Sequence, residues 1–406
     1  MASDMLAAAS KIATTGLVIL TLTSMLYYVL VAVAALIVCR RKPSAGARPR
    51  ASILVPLCGI QSSLRGNLEA LLGALGPEDE LLVGTARPAD PAVALAREVL
   101  AHEARARIVA GSGSRATNPK VATLVALERL VTREIVVLVD CDVRLDAALL
   151  DGLVGSLADP RVGLATALYR GEPSGSLASR LEALSINMDF VPSVLVIHML
   201  GGGLDFALGA ANAVRREVLR AIGGIVSLGE VLADDHVLGK RVSQAGYRVV
   251  IAPVCASIWL DSSLGDTLTR LLRWCRTYRV CRPGAYAATL VSHHGVTCAV
   301  TALGLAILGG GGSIRAATAL LVSVLLVRMT SGLVAHTRIA GREADARSLL
   351  LLGLRDLVGS ALFVAAWTGR GVTWRGTRYD VAHDGTLHRR PAWPRQESGS
   401  PIAPTS

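Results

Sequence analysis

Asp140 and Asp142 flank Cys141 at the end of the apolar run Glu134–Val139. Further on, Asp234 and Asp235 stand side by side in Leu232-Ala233-Asp234-Asp235-His236, and Arg270-Leu271-Leu272-Arg273-Trp274 follows them. Two carboxylates two residues apart suit a hard divalent cation, Mg²⁺ or Mn²⁺, whose remaining shell substrate phosphates fill. Adjacent carboxylates repel when both are ionised, and one placed beside an acceptor hydroxyl can take its proton. Arg273 can pair with a phosphate while Trp274 stacks on a sugar or an acceptor. In this order the three groups are equipment for moving a group from a nucleotide diphosphate to a hydroxyl.

Each group also has a plainer reading. Aspartates are common where a strand turns into a loop. Asp235 is placed to cap a helix His236–Ala245 that Gly246 ends. Arg273, Arg276 and Arg279 recur at near-helical spacing opposite Leu271, Leu272 and Trp274, which describes a basic amphipathic helix on a membrane surface. Lys120, in Asn118-Pro119-Lys120, opens a helix and is either a phosphate ligand near its N-terminus or a surface residue. The small residues of 201–212 either let backbone approach a ligand or form a turn and a buried strand. A GxxxxGK[ST] loop, a nucleophile elbow and an HExxH pair are all absent from the sequence.

The elements that must position these residues are legible in part. Strands are predicted at 52–57, 80–84, 106–110 and 134–139, with helices at 63–75, 91–104 and 119–130 between them. This alternation implies βαβ units and a parallel sheet, with ligands outside the carboxyl ends of the strands. Asp140 and Asp142 fall there.

With 52% hydrophobic residues among 406 and a mean hydropathy of +0.49, the chain is too apolar for an ordinary soluble enzyme. Residues 12–39 carry no charge and predict a transmembrane helix. Arg40, Arg41, Lys42, Arg48 and Arg50 follow, which places the N-terminus outside and a catalytic domain, 50–284, in the cytoplasm. A cleaved signal peptide fits less well, because the basic cluster follows the apolar run. Apolar runs return at 285–314, 316–335 and 348–368, the first broken by Gly309–Gly312. The second carries Arg328 and the third Arg355-Asp356. An ionised pair at bilayer depth must be buried in protein or water, so the third run is expected to be re-entrant or interfacial. A basic tail, 370–406, ends the chain. The net charge of +11 comes with only 4% aromatic residues, and its scattered arginines argue against nucleic-acid binding. Seven cysteines without a CxxC pair argue against a disulfide framework or zinc site.

The set of motifs resembles the ceramide glucosyltransferase family (family 21), within the wider family 2-like glycosyltransferases. Asp90-Pro91-Ala92, Asn118-Pro119-Lys120-Val121, Leu232-Ala233-Asp234-Asp235, Leu354-Arg355-Asp356 and Trp374-Arg375-Gly376-Thr377-Arg378-Tyr379 are similar to elements of that family. Pro56-Leu57-Cys58-Gly59, Leu168-Tyr169-Arg170-Gly171 and Phe190-Val191-Pro192-Ser193-Val194 are similar to the bacterial hopanoid-biosynthesis-associated subgroup. The resemblance implies an α/β GT-A fold with one N-terminal and two to three C-terminal membrane helices. It implies an inverting transferase using a UDP-sugar and Mg²⁺ or Mn²⁺ at the cytoplasmic face of a bacterial-type inner membrane. The acceptor it implies is a lipid hydroxyl, on a hopanoid polyol or a ceramide. By this likeness Asp140 and Asp142 hold the metal and diphosphate. Asp235 is the base with Asp234 beside it, and Arg270, Arg273 and Trp274, with Lys120, serve the donor. Asp90 is the nearest match to the nucleotide-side acid, close to Arg87. Two rivals remain: a non-enzymatic nucleotide-binding membrane protein, which the long soluble-type segment disfavours, and a polysaccharide synthase, which usually has more spans.

Overall fold

The computed structural model describes residues 2–39, 48–308, 313–341, 346–374 and 376–390. The predicted Gly309–Gly312 break, the basic residues Arg40, Arg41 and Lys42, and Arg375 and Arg395 lie outside them. Helix α1 (Ala2–Val38) opens the chain. Strand β1 (Ala51–Leu57), α2 (Leu64–Ala74), β2 (Glu80–Thr85), α3 (Ala92–Val99), β3 (Ala106–Ala110), α4 (Pro119–Glu128) and β4 (Ile135–Val139) then alternate as the periodicity predicts. Next come β5 (Val143–Arg144), α5 (Ala147–Gly155), β6 (Val162–Pro173), α6 (Leu177–Ser185), a π-helical turn (Ile186–Phe190) and α7 (Val191–Gly201). Strand β7 (Ala211–Arg215), α8 (Arg216–Ala221), α9 (Asp234–Gln244), β8 (Arg248–Leu260) and α10 (Leu264–Cys281) complete the α/β domain.

Eight strands form one sheet in the order β3-β2-β1-β4-β7-β6-β8-β5. Every residue of β1 and β2 is buried, as central strands covered on both faces require. The expected parallel pairing is found in β3-β2-β1-β4 and again between β6 and β8. Strand β7 runs antiparallel to both β4 and β6, so the sheet is mixed. A buried apolar run reads alike in either direction, which is why the sequence does not distinguish them. The antiparallel pairing brings Val139 opposite Ala211, and the Asp140 amide donates to the Ala210 carbonyl (3.1 Å). The strand-end aspartates are thereby set against the small-residue segment 207–210.

Helix α9 lies against that segment through Gly239, where a Cβ would sit 2.3 Å from the Ala207 nitrogen and the Phe206 carbonyl carbon. Since the obstacle is backbone, Gly239→Ala must displace α9 and the acidic pair at its start. The expected cost is about 1–3 kcal/mol, read as a lowered thermal midpoint of the detergent-solubilised protein together with reduced activity.

Among the described residues, three helical segments are long and apolar enough to cross a membrane: Ala8–Val38, Leu177–Gly201 and Ile314–Ile339. A fourth is made by α11 (Pro283–His293) and α12 (Gly295–Ile307) together, bent by 51°. The segment Leu177–Gly201 lies inside the predicted soluble domain; 61% of its most apolar window is covered by the protein itself. Helix α13 (Ile314–Ala340) precedes the short α14 (Ala346–Leu349) and α15 (Leu352–Trp367). At 16 residues, α15 is shorter than the roughly 20 residues of a full span. The bend between α11 and α12 is held by α1. The Ser24 hydroxyl donates to the Val291 carbonyl (3.0 Å) and the Tyr28 hydroxyl to that of His293 (3.3 Å). A Cβ at Gly295 would meet Ser24 Cβ at 2.5 Å, so close approach to α1 requires glycine there.

The charges in the apolar runs are satisfied within the protein. Arg328, 2% exposed, bonds Asp189 of the π-turn and both oxygens of Asp356 (3.1 Å each). It also donates to the Met188 carbonyl (2.8 Å). Arg355 bonds Asp189 and Asp356 in turn. Two cations and two anions thus neutralise one another between α13, α15 and the π-turn. Such satisfaction within protein is what permits charge at this depth.

The region expected as a basic tail is folded over part of its length. Strands β9 (Gly371–Trp374), β10 (Thr377–Val381) and β11 (Leu387–Arg389) make an antiparallel sheet. Val372, Tyr379, Val381 and Leu387 pack around Leu232. The Leu232 amide donates to the Gly385 carbonyl (3.1 Å) and the Leu387 amide to that of Glu230 (2.7 Å). This sheet therefore clamps the loop leading into Asp234-Asp235.

Candidate active site

Three elements carry the acidic and basic residues to one point. Asn118, fully buried, accepts from the amides of Lys120 and Val121 and so caps α4. Its Nδ2 donates to the Val231 carbonyl (3.0 Å). With Pro119 in the first turn, a conformation suited to proline, Lys120 extends from a rigid helix start. Its Nζ lies 2.8 Å from Asp140 Oδ1 and 3.2 Å from Asp234 Oδ2. One ammonium therefore joins three motifs that are far apart in sequence.

Asp234 and Asp235 are the first two residues of α9, and Ala233 stands at the cap position without a side-chain cap bond. The expected capping role of Asp235 is thus replaced by a first-turn position, where the helix N-terminus favours negative charge. Asp235 Oδ1 accepts from the His236 amide (2.9 Å). The helix does stop where expected, with Ala245 as its last cap and Gly246 at φ +89.

Burial dominates the electrostatics. It pushes the Asp140 carboxyl up to about 7 against the opposing Lys120 charge. Asp142 is also raised, by burial first, with Lys120, Arg270 and Arg273 opposing. Asp235 is pushed up to about 6 by burial and then by the Asp234 charge. Burial would lower Lys120, but the carboxylates of Asp140, Asp234 and Asp235 more than reverse this and hold it well above its ordinary value. Arg273 is lowered by burial and by the neighbouring Arg270. The site is thus short of positive charge at Asp140/Asp142 and short of negative charge at Arg273. A cation at the first and a phosphate at the second would relieve both.

The donor set agrees with a hard cation. Among the described residues no third His, Cys, Asp or Glu completes a protein cage. Two carboxylates plus substrate phosphates is the usual arrangement for such ions. Asp140 and Asp142 are the residues that would hold it.

The other expected donor residues divide. Asp90, 5% exposed, lines the cavity, and its Oδ1 accepts from the Gly59 and Ala92 amides (2.9 and 3.0 Å). It pins the loop after β1. Arg270 also lines the cavity, and its Nε and Nη2 form a bidentate pair with the buried Glu182 (2.5 and 2.6 Å), with Nη2 also reaching Ser262. Its geometry anchors α10 to α6. Arg273 lies over the Trp374 ring, 5.7 Å from its centroid, and both line the cavity with Trp274. Arg276 and Arg279 donate to the Gly371 and Gly369 carbonyls, satisfying backbone just beyond α15.

Sequence reasoning missed the aromatic wall. Phe190 stacks on Tyr278 (5.5 Å between centroids, 3° between planes) and tilts against Tyr169 (5.5 Å). Motif similarity at Tyr169 and Phe190 was the available signal. These rings line a single cavity of ≈ 1530 Å³. It extends from Lys120, Asp140 and Asp235 past the rings to Leu26 and Leu30 of α1, Ile197 of α7, His293 at the α11–α12 bend and Leu362 of α15. A volume above the roughly 300–1,000 Å³ of single-ligand sites accommodates two substrates.

Comparisons with known proteins bear on the family and the fold. The model of glycosyl transferase family 21 matches residues 16–387. Ceramide glucosyltransferase 3 of Caenorhabditis elegans is 24% identical over 231 residues, 56% of this chain and 50% of that protein. The chain thus matches about half the length of this curated relative. A mannosyltransferase from Pyrobaculum calidifontis, solved in complex with GDP-Man and Mn²⁺, has a similar fold at a TM-score of 0.51 and 18% identity. That match covers 90% of this chain and 97% of that structure.

Proposed function

Because the chain belongs to glycosyl transferase family 21, we propose that this membrane glycosyltransferase moves a hexose or N-acetylhexosamine from a UDP-sugar to a membrane lipid hydroxyl, with inversion. The observation that carries this reading is the continuity of the cavity from the Lys120–Asp140–Asp234 cluster to the membrane helices. A soluble acceptor would need no passage lined by α1, α7 and the α11–α12 bend.

Asp235 takes the hydroxyl proton as the lipid oxygen attacks the anomeric carbon from the face opposite the leaving group. The bond between that carbon and the diphosphate oxygen breaks, and its electron pair leaves with the nucleotide. Lys120 and Arg273 offset the charge that develops there. Mg²⁺ or Mn²⁺ held by Asp140 and Asp142 supplies Lewis-acid stabilisation of the same leaving group when bound. The membrane helices hold the lipid headgroup in line, a positioning contribution. The basic residues after α1 support a catalytic domain on the cytoplasmic side of a bacterial-type inner membrane.

Of the two acceptors the motifs imply, similarity to a ceramide glucosyltransferase supports ceramide, and the Pro56-Leu57-Cys58-Gly59 likeness supports a hopanoid polyol. The test is incorporation of label from UDP-hexoses, with GDP-Man as a control donor, into the organic phase of membranes supplied with either lipid. Chelation with EDTA is expected to abolish incorporation, and Mg²⁺ or Mn²⁺ to restore it. Undiminished activity after exhaustive chelation would remove the metal from the account.

A further inference from the structure

Three helices turn residues of the same spacing toward the membrane end of the cavity. On α1 the lining residues include Thr23, Leu26, Tyr27 and Leu30, and on α7 Ser193, Val196, Ile197 and Leu200. On α11 they include Ala285, Ala288, Thr289 and Ser292. Each set is one helical face at i, i+3, i+4 and i+7, the pattern by which helices ordinarily pack on a neighbour. Here the three faces meet open space instead. Helix α1 packs with a different face, Thr21, Ser24, Tyr28, Val31 and Ala35, all buried, and it touches both α7 and α11. It is thus the floor of a groove whose walls are α7 and α11.

The groove is largely apolar and open at its side. Leu26 is 62% exposed, Ile197 37% and Leu200 70%, although all three line the cavity. Helix α7 carries no charged residue, and Val191, Val194 and Leu195 already bury its other side in the core. Ile197 and Leu200 are left as apolar surface, which in continuity with an active-site cavity marks a ligand groove. The α11 wall is cut back to alanine, threonine and serine, which leaves room beside it. At the inner end the lining turns polar. His236 stacks on Phe206 (5.7 Å between centroids), and Arg282 lies over the same ring (5.1 Å) and pairs with Asp205. His236 follows Asp235 in the chain, so this end adjoins the candidate base, and the groove runs from there outward.

We propose that the groove between α1, α7 and α11 holds the apolar tail of the acceptor lipid while its reacting hydroxyl lies at Asp235. The proposal rests on the lipid-acceptor reading and adds where the tail lies. Lipid tails are as apolar as such a groove, so it guides the tail rather than drawing it out of the membrane. The tail's course then fixes which hydroxyl reaches Asp235, a positioning effect.

The test uses the full-length protein in nanodiscs with a UDP-hexose and two acceptors of one headgroup. One is a long-chain ceramide, the other a water-soluble ceramide with both chains cut to a few carbons. For a hopanoid polyol, the polyol without its ring system takes the second place. Ala288→Leu and Leu200→Trp fill the groove from opposite walls. Each should lower kcat/KM for the long-tailed acceptor about tenfold or more and leave the short one unchanged. Ala287→Leu, the same change on α11 outside the cavity lining, should alter neither. Cross-linking gives a readout independent of turnover: a ceramide with a diazirine in its acyl chain should label peptides of α7 and α11, and unlabelled ceramide should compete. Equal losses on both acceptors, or undiminished long-tail transfer in both groove variants, would overturn the groove. So would labelling that a diazirine phosphatidylcholine matches and ceramide does not displace, which would mark a site for bulk lipid. If wild type glycosylates neither ceramide nor a hopanoid polyol, the lipid-acceptor reading itself fails, a distinct result.

Discussion

Asp235→Asn lowers sugar transfer by ~10²–10⁴-fold, the range of a lost general base, while UDP-sugar binding stays near wild type. The substitution keeps the shape and the bond from the His236 amide but removes the proton acceptor. Lys120 contacts Asp140 and Asp234, so the donor-side cluster survives. The pH profile provides a second readout. Burial and Asp234 push the Asp235 carboxyl up to about 6. The base must be deprotonated to act, so kcat/KM for the acceptor should be full above that pH and fall as pH drops through it. Initial rates between acid and neutral pH, with donor binding by calorimetry, check both. A variant with full activity would dismiss Asp235 as the base.

The second large effect is on stability. Arg328→Leu leaves Asp189 and Asp356 facing a single remaining cation, Arg355. Removing one partner of a buried ionic cluster costs about 3–5 kcal/mol, and the midpoint for thermal unfolding in detergent should drop accordingly. The paired variant Arg328→Leu with Asp356→Leu leaves Arg355 and Asp189 as a neutral couple. It should recover much of the loss, whereas independent sites would add. A double variant as unstable as the sum of the two singles would mean that the four charges do not act as a unit. Because the π-turn that holds Asp189 also presents Phe190 to Tyr278, the single variant should impair acceptor use as well.

How far this arrangement could be read from sequence depends on the residue. Strands β1 to β4 and their helices announce themselves by alternating apolar periods, and Asp140 follows from where β4 ends. Lys120 stood as one of two readings; only the fold shows its ammonium between Asp140 and Asp234. The antiparallel course of β7 was hidden because strand direction leaves no mark on a buried apolar run. Arg328 and Arg355-Asp356 were visible as anomalies in apolar runs. Their partner Asp189 was not, since it lies in a π-turn within a segment that the sequence assigns to the 50–284 domain. The sheet of β9 to β11 was obscured by arginines, although Val372, Tyr379, Val381 and Leu387 alternate well enough to bury Leu232. Arg270 was assigned to the donor by motif alone, and its bidentate bond to Glu182 depends on α6, which no local pattern links to α10.

The most direct measurement is mass spectrometry of lipids extracted from membranes containing the protein, after incubation with a UDP-hexose and either ceramide or a hopanoid polyol. The account predicts a new lipid heavier by one anhydrohexose, linked through the lipid hydroxyl in the inverted configuration, and absent in Asp235→Asn. Release of free hexose with no modified lipid, or a product that grows to a polysaccharide, would contradict it.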